Sequence, residues 1–142
     1  MSDLSAFFAE NVAPLEEVEI AVSERMFDKD GKPIKWKVKA ITSAVNSSIE
    51  ERAMRVVNVP GKRGQRTREI DYTRYSRLLV CECVTYPNLN DAGLQDSYHA
   101  KSADELIAAM LTAGEFTELS AKCLEICGFD VPIDEEIEQA KN

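Results

Sequence analysis

The feature that most constrains the fold is an alternation of apolar with mostly charged residues at positions 17–41. The stretches EVEIAV (17–22) and IKWKV (34–38) each place every second side chain on one apolar face. The pair Asp30-Gly31 between them supplies turn chemistry. The pattern predicts a β-hairpin with one apolar and one charged face. An isolated hairpin is marginally stable in water, so we expect helices to cover the apolar face.

Four helix-capping patterns follow the hairpin, and each precedes a run of residues with an apolar stripe at helical spacing. These patterns predict four helices. The predicted N-terminal caps of these helices are Ser47 or Ser48, Asp71, Ser102 and Thr112. The first helix is predicted to end at Pro60-Gly61, the second near Pro87 and the last at Gly128. The segment 87–100 has the composition of a loop or a single helical turn.

The N-terminal residues predict a further short helix, capped by Ser2 or Asp3, with Phe7 and Phe8 on one side. Docking of these rings on their own chain is favoured over a partner surface. The predicted fold class is therefore α+β: an N-terminal β-hairpin or small antiparallel sheet packed against about four to five α-helices. Residues 1–128 are predicted to form one domain, and residues 129–142 an acidic, flexible C-terminal tail.

Composition limits the classes of protein and of binding site that this chain can represent. The chain has 142 residues, of which 44% are hydrophobic and 30% charged, which suits one water-soluble domain. It has neither a run of about 18 apolar residues nor a signal peptide, so we expect a cytoplasmic protein without a membrane partner. Its four cysteines have poor zinc-ligand spacing and lie in apolar, helical runs, which favours buried free thiols. No metal or cofactor is predicted.

The charge is unevenly distributed. The net charge is −8, which disfavours nucleic-acid binding through overall charge. Basic residues concentrate at 52–77, and acidic residues from position 104 onwards, so the two stretches are predicted to face each other or to face partners. Residues 61–69 are predicted to be a mobile basic loop, with contact to a phosphate or an acidic partner as the alternative. Tyr72 and Tyr75 are candidates for base stacking, but they also fit a buried helical face.

No catalytic set is apparent. The one histidine, His99, has no recognisable nucleophile and acid to complete a triad. Adjacent carboxylates on a helix point about 100° apart and do not converge on a substrate. The stretch DKDG (28–31) has the wrong glycine spacing for an EF-hand loop and is predicted to be a turn. The chain is predicted not to be an enzyme.

Three stretches in this order carry a family resemblance: FFAENV (7–12), IAVSERMFDKDGKPIKWKVKAIT (20–42) and YPNLNDAGLQDSYHAKSADELIAAMLTAGEFTEL (86–119). Together they make residues 4–128 resemble the XkdN-like family of phage tail assembly chaperones from PBSX-type prophages. The most specific part is P-x-L-x-D-x-x-L-Q-D-S-Y at 87–98, followed by L-x-x-G-E at 111–115. His99 departs from the family pattern, which has a small residue there, often glycine.

The resemblance implies a non-enzymatic protein that binds the tape measure protein and helps recruit the major tail tube protein. It also implies work in the host bacterial cytoplasm during phage or prophage assembly, and absence from the mature particle. Self-association stays open, as do two other functions: a small nucleic-acid-binding regulator and a permanent structural tail component. The candidate protein-contact residues are Phe7, Phe8, Lys62, Arg63, Arg66, Leu89, Leu94 and Tyr98.

Overall fold

The computed structural model describes residues 4–129 and has the α+β architecture that the sequence predicts. Residues Leu4–Phe7 form one turn of 3-10 helix. The strands are β1 (Val18–Ala21), β2 (Lys35–Val38), β3 (Met54–Asn58), β4 (Arg66–Ile70) and β5 (Val84–Tyr86). The helices are α1 (Ser43–Arg52), α2 (Tyr72–Cys83), α3 (Ala92–Ser97), α4 (Ala103–Met110) and α5 (Ala113–Ile126).

The predicted hairpin forms two strands of an antiparallel sheet with the order β1-β2-β5. Ile20 lies opposite Trp36, as the alternation requires, and Trp36 is buried. At the turn, the Asp28 carboxylate accepts hydrogen bonds from the backbone N–H groups of Asp30 and Lys32, at 2.8 and 3.0 Å. Gly31 has a φ of 78°, a conformation that costs glycine little. The DKDG stretch is therefore a hairpin turn, as predicted.

Helix α2 lies at the centre of the core, where it packs against α1, α4 and α5. Its buried face carries Leu79, Val80 and Cys83, all at most 1% exposed. Trp36 from the sheet and Leu106 from α4 complete this core. Burial of each large apolar side chain contributes about 1.5–3 kcal/mol. The sheet β1-β2-β5 and the helices thus share one core.

The helix predicted to start at Ser47 or Ser48 and run to Pro60 is wrong at both ends. Helix α1 begins earlier, because the Thr42 hydroxyl accepts a hydrogen bond from the backbone N–H of Val45. It ends at Arg52, and the following residues form β3, in which Val56 lies opposite Arg68 of β4. The β-branched pair at 56–57 favours a strand when a second strand is present to pair with it.

The same pairing corrects the prediction of a mobile loop at 61–69. Residues 66–70 are strand β4, and a backbone hydrogen bond from Val59 N–H to Gln65 C=O, at 3.0 Å, closes the connection. We call residues 54–70 the basic hairpin. Its two strands contact each other far more than they contact the rest of the chain.

Helix α2 is also shorter than predicted. Asp71 caps it as expected, since its carboxylate accepts from the N–H groups of Thr73 and Arg74. The helix ends at Cys83, and Val84–Tyr86 pairs with β2 as β5. This segment is rich in β-branched residues, which favour a strand, and it pairs with the edge of β2 that β1 leaves free. The helix therefore ends before Pro87.

The remaining helices follow their predicted caps. Ser102 and Thr112 cap α4 and α5, and the capping box between Thr112 and Glu115 is complete. Gly128, with a φ of 87°, follows the end of α5. The predicted C-terminal tail falls outside the described residues from position 130 onwards. Within residues 4–129, no helix combines the length and apolarity needed to cross a bilayer.

Candidate protein-interaction surfaces

Several polar side chains of the segment 86–100 form hydrogen bonds with the backbone of the same segment. Asn88 Oδ1 accepts from Asn90 N–H at 3.0 Å, and Asp91 Oδ2 accepts from Leu94 N–H at 2.8 Å, which caps α3. Gln95 Nε2 donates to the carbonyl of Leu89 at 2.9 Å. These groups satisfy turns and a helix end, as Asx turns and caps do. These side chains therefore stabilise the turn and the start of α3 in the connection between β5 and α4.

His99 ends helix α3 in a Schellman motif. Its N–H donates to Asp96 C=O at 3.1 Å, and Ala100 N–H donates to Gln95 C=O at 2.9 Å, the two bonds that define this motif. The motif requires a left-handed residue, and His99 supplies it with a φ of 58°. Gly128 has the same role after α5. His99 thus occupies a backbone position where glycine is favoured.

The apolar candidates in this segment differ in their exposure. Leu89 is only 3% exposed and belongs to the core, so a direct contact with a partner would require it to leave that core. Leu94 is half-buried against the core. Tyr98 is 38% exposed and stays accessible. Of these three, Tyr98 presents the most surface to a partner.

The N-terminal segment, residues 4–17, is exposed throughout. Phe7 and Phe8 are 79% and 53% exposed, so the favoured prediction that they dock on their own chain is wrong. The segment is closed by its own hydrogen bonds, including the one that Asn11 Nδ2 donates to Ser5 C=O at 2.7 Å. Leu4, Val12 and Leu15 add further exposed apolar surface.

The basic hairpin carries the candidate residues Lys62, Arg63 and Arg66 at its exposed end. These three form no ion pair with any residue in 4–129. Other cations of the hairpin are neutralised locally, as Arg55 pairs with Glu69 at 2.9 Å and Arg68 with Glu51 at 2.6 Å. The uncompensated charge therefore lies at the tip.

The predicted meeting of the basic and acidic stretches occurs at one contact in the described chain, where Arg74 Nη1 lies 3.3 Å from Asp104 Oδ2. Arg74 also donates to the carbonyl of Arg52, at 3.1 Å. The contact ties α2 to the start of α4. Within residues 4–129, the two stretches therefore neutralise each other at this one contact alone.

All four cysteines are free, as predicted, and Cys83 and Cys123 are buried, whereas Cys81 and Cys127 are only partly buried. Cys83 Sγ lies 3.8 Å from Cys127 Sγ. The neighbouring Cys123 thiol, followed by burial, raises the pKa of Cys83. Burial raises the pKa of Cys81 to about 12, with help from the nearby Asp104 carboxylate. Since the thiolate is the reactive form, these thiols are suited to packing and not to nucleophilic chemistry.

A groove that sequence reasoning missed lies between the outer side of β1 and helix α5. Ile20, Val22 and Leu119 contribute apolar side chains to it, and one cavity within it measures about 330 Å³. A second cavity of about 500 Å³ continues past Ser23 and Arg25. We call the two together the β1–α5 groove. The alternation in β1 could have indicated one apolar face, but only the packing of α5 shows that this face is half covered.

One ion pair fixes the far end of this groove. Arg25 Nη2 donates to Glu115 Oε1 at 2.6 Å and to the carbonyl of Met110 at 2.9 Å, which joins the hairpin to the α4–α5 junction. The hydrogen bond from Arg25, helped by those from Ser23 and the backbone of Thr112, lowers the pKa of Glu115 from 4.5 to about 2. Glu115 thus completes the α5 cap and holds the β1–β2 hairpin in place.

Comparisons with known proteins agree with one another. The chain matches the family model described as phage XkdN-like tail assembly chaperone protein over residues 4–141. It is similar to the Bacillus subtilis (strain 168) protein YqbN, with 33% identity over 141 residues that cover 99% of this chain and 93% of YqbN. It is also similar to the phage-like element PBSX protein XkdN of that strain, with 30% identity over 141 residues covering 99% and 94% of the two chains. A crystal structure of YqbN resembles this fold with a TM-score of 0.76 at 27% identity, covering 92% of this chain and 99% of that one.

Proposed function

Because the chain belongs to the XkdN-like family of phage tail assembly chaperones, we propose that it binds the tape measure protein and helps recruit the major tail tube protein. It acts in the host bacterial cytoplasm while tails are built, and it leaves before the particle is complete. The observation that carries the proposal is the family match over residues 4–141. The family's role is assembly and not catalysis.

The exposed apolar surface of the N-terminal segment supports this proposal. A protein without partners rarely leaves two neighbouring phenylalanine rings more than half exposed, as Phe7 and Phe8 are. A chaperone for a long client needs modest contacts that can be repeated and later released. The N-terminal segment and the tip of the basic hairpin offer one apolar and one charged contact of that kind. Phe7, Phe8, Lys62, Arg63 and Arg66 are therefore proposed client contacts.

The polar groups of the segment 86–100 support a positioning role for the motif. The side chains of Asn88, Asp91 and Gln95 are engaged in caps and turns, which explains these three positions without any reaction. The motif then sets the angle between the sheet and helices α4 and α5. In the proposed function it acts on the client through the surfaces that it positions.

Co-expression with the tape measure protein of the same phage tests the proposal. We expect an affinity-tagged chain to capture the tape measure protein and to raise its soluble fraction. The control is an unrelated acidic protein of similar size, expressed at the same level. If no complex forms and the tape measure protein is equally insoluble with either protein, the proposal is wrong.

Mass spectrometry of purified particles separates the proposed chaperone from a permanent structural component. We expect the tube and tape measure proteins to be present and this chain to be missing. Its presence in mature particles in a fixed ratio to the tube protein would identify a structural component instead.

A further inference from the structure

Strand β1 has a free edge. It is the outer strand of the sheet β1-β2-β5 and pairs with β2 alone. Within residues 4–129, residues 13–25 form no backbone–backbone hydrogen bond apart from those in the β1–β2 ladder, and the N–H of Arg25 donates to Ser23 Oγ at 3.1 Å. Residues 13–19 and 21 are also exposed. An extended row of backbone donors and acceptors is thus available to another chain, as in complexes where a peptide adds a strand to a sheet.

The β1–α5 groove lies along this edge and can receive side chains. Ile20, Ala21 and Val22 line it from the strand, and Leu119 and Ala121 line it from the helix. In an added strand, every second side chain would point towards one face of the sheet. The apolar lining of the groove suits such side chains.

The rim of the groove is acidic. Glu115, Glu118 and Glu125 of α5 line it, and Glu24 lines its far end. Two of these are neutralised, since Glu115 pairs with Arg25 at 2.6 Å and Glu125 lies 3.5 Å from Lys122. Glu24 and Glu118 have no ion pair with a residue in 4–129, and the exposed Glu16 lies just before β1. Glu17 and Glu19 are also exposed, but they lie on the other face of β1 from Ile20, where Glu19 is opposite Lys37 of β2. This excess of negative charge selects a basic occupant.

We propose that the free edge of β1 and the β1–α5 groove bind an extended, basic segment of a partner protein as an added β-strand. Apolar residues of that segment enter the groove, and its lysine or arginine residues meet Glu24 and Glu118 where the segment crosses the rim. The identification of the partner as a phage tail protein rests on the proposed function. The chemistry of the segment rests on the groove itself.

A synthetic peptide of about ten alternating lysine and valine residues, with both ends blocked, is the probe. Added to the isotope-labelled full chain, it should shift the amide NMR signals of residues 16–22 and 115–125. Three matched peptides serve as controls. The first carries N-methyl groups on alternate residues, the second has glutamate in place of lysine, and the third has the same composition reordered to helical periodicity.

We expect the alternating lysine–valine peptide to bind and the three controls to bind at least about tenfold more weakly, because each lacks the backbone donors, the charge or the extended pattern. Equal binding of the N-methylated or the helical peptide would overturn the added strand. Signal shifts confined to residues outside the groove, or no shifts, would overturn the site.

Variants of the chain test the charge of the rim. Glu118→Lys should weaken the binding of the lysine–valine peptide about tenfold. Asp96→Lys is the matched control, since Asp96 is exposed on α3, away from the groove, and changes the net charge equally. It should alter the affinity by less than about twofold. Thermal melts of both variants check that they fold, and an equal effect of the two substitutions would overturn the inference.

Capture of the tape measure protein separates this inference from the proposed function. If the unaltered chain and Glu118→Lys capture it equally well while only Glu118→Lys loses the peptide, the groove is not the client site and the chaperone function stands. If the unaltered chain captures neither the tape measure nor the tube protein but still binds the peptide at the groove, the proposed function fails and the strand-binding site stands.

Discussion

At the scale of single residues, His99 holds a backbone conformation in which an L-amino acid is strained. Its φ of 58° serves the Schellman motif that turns the chain from α3 towards α4. For residues other than glycine, the left-handed region costs about 1–2 kcal/mol. The side chain of His99 makes none of the hydrogen bonds in this turn, so nothing in the turn offsets that cost.

We therefore expect His99→Gly to raise the free energy of unfolding by about 0.5–1 kcal/mol, the strain relieved minus the larger backbone entropy that glycine loses on folding. Urea unfolding followed by circular dichroism measures it. His99→Ala is the control and should give no such gain, since alanine keeps the Cβ that causes the strain. Equal stabilisation by both substitutions would contradict this explanation.

The lowered pKa of Glu115 predicts how the stability of the folded chain changes with pH. Its pKa falls from 4.5 to about 2 in the folded chain because Arg25 donates to its carboxylate. A group whose pKa is lowered by folding stabilises the folded state above its unfolded pKa, and this stabilisation is lost as the pH falls through the folded value. The contribution of Glu115 should thus be complete above about pH 4.5 and should vanish towards pH 2.

Glu115→Gln should accordingly be less stable than the unaltered chain at pH 7, and the difference should shrink between pH 4.5 and 2. Glutamine can still complete a capping box, so the loss reports the charged interaction with Arg25. Urea unfolding at a series of pH values measures the difference. Glu118→Gln, at a carboxylate without an ion pair in the described chain, is the control. A difference that stays constant down to pH 2 would contradict the assignment.

At the scale of elements, the helices with strong local caps could be predicted from the sequence and the strands that depend on distant partners could not. Asp71, Ser102 and Thr112 each cap a helix through hydrogen bonds to residues two or three positions away, so the information is local. Strands β3 and β5 exist because β4 and β2 pair with them. A segment such as 54–58 suits a helix or a strand by local pattern, and tertiary contacts decide.

The candidate surfaces show the same division. The N-terminal rings and the basic tip could be found from sequence because composition alone marks them. The burial of Leu89 and the existence of the β1–α5 groove could not, because both depend on which elements pack together. The polarity of a motif, as at 87–98, indicated neither reactivity nor exposure.

The N-terminal segment provides a prediction at this scale. Phe7→Ser combined with Phe8→Ser should change the free energy of unfolding by less than about 0.5 kcal/mol, because both rings are exposed and not part of the core. Capture of the tape measure protein should fall at least about fivefold, as expected for the loss of aromatic contacts. Pull-down and thermal melts measure the two effects.

Tyr72→Ser is the matched control, since Tyr72 is an exposed aromatic residue on α2, 71% accessible. It should leave capture unchanged. A clear loss of stability in the double phenylalanine variant would show that the rings are packed in solution, which would contradict the exposed segment described above.

At the scale of the whole molecule, positive and negative charges without ion pairs lie on different surfaces of the described chain. The basic hairpin carries cations without ion pairs in the described chain at its tip, while the rim of the β1–α5 groove is acidic. Net charge alone, at −8, conceals this arrangement. Exposed charges of this kind contribute little to folding but guide association and make it dependent on salt.

We therefore expect that reversing the charge of the tip changes client binding and leaves the stability of the chain unchanged. Lys62→Glu, Arg63→Glu and Arg66→Glu together should leave the melting temperature nearly unchanged and reduce client capture at least about fivefold at low salt. The effect should shrink as salt is raised, because screening removes the attraction. Pull-downs over a salt series measure it.

The control carries Lys29→Glu, Lys32→Glu and Lys101→Glu, three exposed lysines away from the tip, and has the same net charge. It should bind as the unaltered chain does. If both triple variants lose the client equally, net charge and not the hairpin tip is responsible.

The free edge of β1 has a consequence for the chain at high concentration. Unpaired strand edges invite copies of a protein to join edge to edge and precipitate. Here the edge is bordered by Glu16, Glu17 and Glu19, so two copies that approach through it bring like charges together. A basic partner meets no such repulsion. The same glutamates can thus keep an abundant protein in solution while leaving its edge open to a partner of opposite charge.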